Sequence, residues 1–269
     1  MNLLKYWTVD EFEISSHSYN LNSRKSKNYE TSGSDNSGKC FYTYNELGYR
    51  GDSIKKDGFK IMSLGCSLTE GVGVMDNQTW PSIVSQMVPN GVNLNFGTGG
   101  RSNDFISRAI LTYFDLIKPD LILILYTYPN RREYFSSDGG IHPFSGAASW
   151  GYFSEEKEGK LIYENLVLSQ NKFEDEVNWF KNHLIIKHFL ENRKCNWVWD
   201  NSLIETTYTD ENMFSGEFGR KYLDLGADGL HPGKNHHFNY AMKIFNNIIK
   251  NRPGYFPKGS ENYYKKSLI

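Results

Sequence analysis

The chain is poor in the features that most quickly narrow a function. Only three of its 269 residues are cysteines, Cys40, Cys66 and Cys195. Their wide spacing makes neither a zinc-like pattern nor a disulfide framework, and a reducing, cytoplasmic compartment is the simplest expectation. Long apolar runs are missing as well. The strongest, Leu121-Ile122-Leu123-Ile124-Leu125, has five residues, against the roughly 18 needed to span a bilayer. Met1-Asn2-Leu3-Leu4-Lys5 gives way at once to polar and acidic residues, so no secretory apolar region is expected. The chain reads as soluble, with no membrane partner.

Charge of one sign is also lacking: 30 Lys and Arg face 31 Asp and Glu, a net charge of −1. Such a balance gives no footprint for nucleic acid or an anionic membrane. Gly97-Thr98-Gly99-Gly100 is glycine-rich, but no Walker-type Lys-Ser/Thr follows it, and no Rossmann spacing follows the first strand. Neither a nucleotide, another cofactor nor a metal is expected.

Aromatics, by contrast, are abundant at 15%, with 18 Tyr, 17 Phe and 6 Trp. Most belong in a core, and some suit stacking on sugars. The length fits one large domain or two small ones, either of which can bury a sizeable core. Residues 1–58 have no long periodic segment and read as an N-terminal extension packed on the main domain. Within them 22–39 is polar and reads as a loop, Phe41–Tyr44 has strand propensity, and Asn45–Gly51 reads as a turn leading to the core.

From Phe59 the pattern becomes strand–helix alternation, and 59–250 is expected to form one α/β domain. Lys60–Leu64 reads as the first strand and Val92–Phe96 as the second. Pro81 suits the first turn of the helix between them. Ser102 is an N-cap for a helix that repeats Ile106, Ile110, Tyr113 and Ile117 on one face. The run Leu121–Leu125 suits a central parallel strand covered on both sides. Residues 128–168 lack a period and read as a lid or binding insertion over the site. A long helix with Phe173, Val177, Phe180, Leu184 and Phe189 on one side follows, then a fourth strand at Asn196–Asp200. The last helix, about 236–250, is expected to bury Phe238, Ala241, Phe245, Ile248 and Ile249; 251–269 is left as a tail. Right-handed crossovers then imply a three-layer α/β/α architecture with a doubly wound parallel sheet.

Chemistry-bearing residues fall where such a fold gathers its ligands, just beyond the strands. Ser67 lies three residues past the first strand, in Gly65-Cys66-Ser67-Leu68. A serine hydroxyl needs an adjacent base to become a nucleophile. His231 is the best base in the chain, and Asp228, three residues earlier, is placed to orient its ring. An oxyanion needs N–H donors. Gly100 and the backbone of Ser67 are the candidates, with the side-chain amide of Asn130 after the third strand. His236 and His237 read as packed or solvated at the start of the last helix, His183 and His188 as helix residues, and His142 as a loop histidine without a role.

These blocks resemble the SGNH hydrolase superfamily, also called GDSL esterases and lipases. The first block is Gly65-Cys66-Ser67-Leu68-Thr69-Glu70-Gly71, the second Asn95-Phe96-Gly97-Thr98-Gly99-Gly100-Arg101-Ser102, and the last Asp228-Gly229-Leu230-His231-Pro232. Cys66 stands where the family often has Asp, and Tyr126-Thr127-Tyr128-Pro129-Asn130-Arg131-Arg132 replaces the usual Gly-x-Asn-Asp block. The resemblance implies a flavodoxin-like sheet of order 2-1-3-4-5 and metal-free ester hydrolysis. It also implies a Ser67, Asp228 and His231 triad, with Ser67, Gly100 and Asn130 around the oxyanion. The expected partner is a small-molecule or carbohydrate ester, such as an O-acetyl group on a sugar. An O-acyltransferase would use the same residues. The rival from another class is a non-catalytic glycan-binding or structural module that keeps the fold.

Overall fold

Strands at Phe59–Leu64, Gly91–Asn95, Leu121–Leu125 and Asn196–Asp200 form the spine of the molecule, all parallel. The computed structural model describes residues 28–32, 39–135, 141–144, 157–219 and 221–267. In chain order its strands are β1 (Asn28–Ser32), β2 (Lys39–Thr43), β3 (Arg50–Gly51), β4 (Phe59–Leu64), β5 (Gly91–Asn95), β6 (Leu121–Leu125), β7 (Arg132–Phe135), β8 (Ile141–Phe144), β9 (Asn196–Asp200) and β10 (Met213–Phe214). The helices are α1 (Ser67–Glu70), α2 (Trp80–Gln86), α3 (Asn103–Ile117), α4 (Lys157–Ser169), α5 (Lys172–Asn192), α6 (Lys234–Asn251) and α7 (Ser260–Ser267).

The main sheet runs β10-β9-β6-β4-β5-β3. Only β3 is antiparallel, on the β5 edge. The five parallel strands therefore lie in the order second, first, third, fourth, fifth along the chain, with the switch in direction between β4 and β6. Every residue of β6 is buried, as a strand with helices on both faces requires. One face carries a core with α3 and α5, built from Phe105, Ile106, Ile110, Ile186 and Leu190. The other carries a core with α2 and α6, built from Val84, Ala241, Ile244, Phe245 and Ile248. The fold is the expected three-layer α/β/α arrangement. Among the described residues no helix is long and apolar enough to cross a membrane.

Local signals account for the helix ends. Ser102 caps α3 by accepting from the Phe105 N–H at 3.3 Å, and Lys118 closes it in the left-handed conformation. Thr79 caps α2, with Pro81 in its first turn.

Several expectations need correction. The polar stretch 22–39 contains β1, which pairs antiparallel with β2. Residues 128–168 hold the β7–β8 hairpin and α4, while 136–140 and 145–156 of that insertion lie outside the described residues. The backbone at His142 is a β8 strand rather than a loop. In α5 the expected apolar side faces inward only in part: Phe180 and Phe189 pack against the core, but Phe173 is 76% exposed and Val177 half exposed. The fully buried residues of the helix are Asn178, Trp179, Asn182, His183, Ile186 and Leu190. Partners explain it, since Asn178 and Asn182 both donate to Asp104 Oδ1, at 2.9 and 2.7 Å. Hydrogen-bonded polar groups can be buried at little net cost. On α6, Phe238 is exposed, and His236, His237 and Tyr240 are buried in its place.

Ile122 is fully buried in β6, so Ile122→Ala should lower unfolding free energy by about 2–5 kcal/mol in a denaturant titration. Leu116→Ala, on the exposed side of α3, should stay within about 0.5 kcal/mol of wild type.

Candidate active site

Sharp turns follow β4 and β5, and the two exits are locked together. Cys66 is the extended residue before α1, so Ser67 opens the helix, where a backbone N–H has no partner within its own helix. Phe96 N–H donates to Ser63 O at 2.7 Å and Thr98 N–H to Gly65 O at 3.2 Å. The loop after β5 therefore lies directly on the one after β4. Gly97 makes that approach feasible: a Cβ there would stand 2.2 Å from Glu70 N. Asn95 Nδ2 donates to Thr69 O at 2.8 Å, and Glu70 Oε2 accepts from Gly99 N–H at 2.8 Å.

Gly100 is the next residue. It takes φ +73° and is exposed, with no atom near where a Cβ would project. Its N–H has no acceptor among the described residues. Asn103, at the start of α3, exchanges two hydrogen bonds with Thr127 (3.0 Å to its N–H and 3.1 Å from its carbonyl) and so ties this loop to the exit of β6.

The histidine arrives from the far end of the chain on a turn built like a small hairpin. Leu225 and Pro232 form an antiparallel bridge, and Gly226 N–H donates to His231 O at 2.8 Å. Asp224 anchors the turn by accepting from the Asn235 and His236 N–H groups at the start of α6. Within the turn Asp228 Oδ1 accepts from the Leu230 and His231 N–H groups at 3.1 and 3.0 Å. Its Oδ2 lies 2.5 Å from His231 Nδ1. Burial pushes the Asp228 carboxyl up, but the His231 N–H, the His231 ring and the Leu230 N–H outweigh it and hold it below the usual range. His231 is half-buried, 26% exposed, and its Nε2 has no partner among the described residues.

Of the predicted residues, Asp228 and His231 are in direct contact. Ser67 reaches their turn through its own loop: Gly71 and Val72 N–H donate to Ser67 O, and Gly73 O accepts from Ala227 N–H at 2.8 Å. Asn130 is on an exposed turn after β6, its carbonyl bonded to Gln170 and its amide without a partner among the described residues. Tyr222, beside His236, lies close enough to Tyr128 and Cys66 that, after burial, their charges add to the upward push on its hydroxyl. Sequence reasoning missed the supports of this site: Glu70, Asn103 and the buried Arg50 and Tyr42. The aromatic-flanked Tyr49-Arg50-Gly51, just ahead of the first central strand, was the available signal.

No family model and no curated protein matches the chain. Solved structures similar to it include GDSL lipolytic proteins and carbohydrate esterases. A carbohydrate esterase of family 3 from Talaromyces cellulolyticus is 14% identical over 71% of this chain and 96% of its own, with a TM-score of 0.34. A lipolytic protein of the G-D-S-L family from Veillonella parvula is 12% identical over 71% of this chain and 98% of its own, at 0.32. A catalytic mutant of an acetylxylan esterase from Geobacillus stearothermophilus is 12% identical over 76% and 99%, also at 0.32. Likeness at this level leaves the functional reading to the site itself.

The depressed Asp228 carboxyl fixes the sign of one pH effect. Its contribution to stability is present above the unfolded value, about 4, and is lost as pH falls through the lower folded value. In thermal melts between about pH 4 and pH 2 the acid-side fall in Tm should be shallower for Asp228→Asn than for wild type.

Proposed function

We propose that this chain is a serine esterase of the SGNH type that hydrolyses a carboxylic ester, the preferred one an O-acyl group on a carbohydrate. The reading is carried by His231, whose Nδ1 is held by Asp228 at 2.5 Å while Nε2 has no partner among the described residues, on a turn bonded to the loop that leaves the Ser67 helix. His231 Nε2 takes the proton of Ser67 Oγ as the oxygen bonds to the ester carbonyl carbon. The oxyanion forms against the backbone N–H groups of Ser67 and Gly100 and the amide of Asn130. Collapse breaks the bond to the alcohol, which leaves with the proton from His231. Water then attacks the acyl-enzyme, giving its proton to His231 and releasing the acid, and Ser67 regains its proton.

A cleft of about 1040 Å³ at the carboxyl end of the sheet supports a sugar as the alcohol part. Tyr128, Phe180 and Tyr208 bring aromatic surface to it, and Asn201, Thr206 and Glu176 bring hydrogen-bonding groups, the mixture that sugars require. Ser67 and His231 are not part of its wall.

Ser67→Ala should lower kcat on p-nitrophenyl acetate at least about 10⁴-fold and abolish labelling by a fluorophosphonate. Equal turnover by the two proteins would sink the esterase reading in favour of a non-catalytic module. Asn130→Ala should lower kcat about 10²- to 10³-fold with little change in KM; a full kcat would leave the oxyanion to the two backbone donors.

A further inference from the structure

Arg50, in the short edge strand β3, is only 1% exposed, and each of its guanidinium nitrogens donates a hydrogen bond. Nη1 donates to Glu70 O at 2.9 Å and Gly71 O at 2.7 Å, Nη2 to Val74 O at 2.7 Å, and Nε to Asp76 Oδ1 at 2.5 Å. The first two acceptors are carbonyls at the end of α1, which a helix this short cannot satisfy internally. The Tyr42 ring lies 3.9 Å from the guanidinium, and the Tyr42 hydroxyl accepts from Gly73 N–H at 2.7 Å. Two side chains from ahead of the first central strand thus grip the loop 70–74 along its length.

The other side of that loop touches the histidine turn. Gly73 O accepts from Ala227 N–H at 2.8 Å, and a Cβ on Gly73 would stand 2.8 Å from Asp228 Oδ1. One end of the loop is continuous with the helix that carries Ser67, and its middle rests on the carboxylate that holds His231. We propose that Arg50 and Tyr42 are positioning residues that set Ser67 against the Asp228–His231 turn through this loop. The inference rests on the esterase reading for its catalytic consequence, but not for the geometry it asserts. A planar fork with five donors suits three carbonyls and a carboxylate spread around one side chain, and a lysine cannot reproduce it.

The test uses the full chain with Tyr42→Phe, which keeps the ring under Arg50 and removes the hydroxyl that accepts from Gly73 N–H, and with Arg50→Lys. Reactive Ser67 is counted by fluorophosphonate titration, so that kcat is read per competent site. The His231 ring-proton resonance, assigned by its loss in His231→Ala, is followed by NMR. We expect kcat per titrated site to fall about 10-fold in Tyr42→Phe and about 100-fold in Arg50→Lys, with KM within about twofold of wild type. The His231 resonance should move in both. Wild-type kcat per site with an unmoved resonance would overturn the proposal, even if thermal stability falls. If wild type itself proves inert, the resonance decides alone. A shift then upholds the positioning while the esterase reading falls, and no shift overturns the positioning too. Should Arg50→Lys fail to fold, Tyr42→Phe carries the same decision.

Discussion

The carboxyl end of the sheet depends on one buried carboxylate. Glu70 is 1% exposed, closes the four-residue helix that begins at Ser67, and is reached from three parts of the chain. Its Oε2 accepts from Gly99 N–H in the loop after β5, its Oε1 from the Tyr44 hydroxyl, and its backbone carbonyl from Arg50. A carboxylate is costly to take out of water, and the cost is recovered only when donors surround it. The neighbours of Glu70 are therefore obliged to keep their places. Gly99 immediately precedes Gly100, so the group that anchors the helix opened by Ser67 also fixes the loop that carries Gly100.

Backbone rather than side-chain contacts carry the connection from there to His231. Loops after strands ordinarily move more than the strands themselves. Here the loop after α1 is held by Arg50 and Tyr42 on one side and by Ala227 on the other. The loop after β5 is held by Gly65 and Glu70, and the exit of β6 by Asn103. Hydrogen bonds in such a buried network reinforce one another, and a partly satisfied network is worse than none. Preorganisation of this kind is what lets donors act on a developing charge without rearranging during the reaction.

The sequence showed the sheet and hid its supports, for physical reasons. Leu121–Leu125 and Asn196–Asp200 were legible because strands buried on both faces carry continuous apolar runs. α3 was legible because its buried side repeats at helical spacing behind a serine cap. On α5 the same rule found Phe180 and Phe189 but missed most of the buried face. Asn178, Asn182 and His183 are buried against partners 74, 75 and 57 residues away, and periodicity of apolar residues cannot see a partner. The strand β10 has two residues, too short for any pattern. Ser67, Asp228 and His231 stood out because their types and order imply chemistry. Arg50 did not, because a lone arginine in an aromatic turn looks solvated until its acceptors are known.

The remaining histidines sharpen the choice of base. His183 is fully buried, with Nδ1 at 3.1 Å from the Tyr126 hydroxyl and Nε2 at 3.2 Å from Asp210. His236 accepts from Leu223 N–H on one nitrogen and donates to Phe218 O through the other. His237 accepts from Trp80 N–H, and burial, helped by His236, Arg50 and His231, pulls it down to about 3. It stays neutral at any ordinary pH. Each of these rings is engaged by the fold: His183 and His236 have partners on both nitrogens, and His237 is buried with Trp80 N–H on Nδ1. His188 is exposed on α5, opposite Glu191 at 3.8 Å. Among the histidines whose side chains are described, His231 alone combines a carboxylate on one nitrogen with partial exposure and an unpartnered second nitrogen. Cycling a proton demands that combination, because the ring must be oriented in both of its charge states and still reach the group it serves.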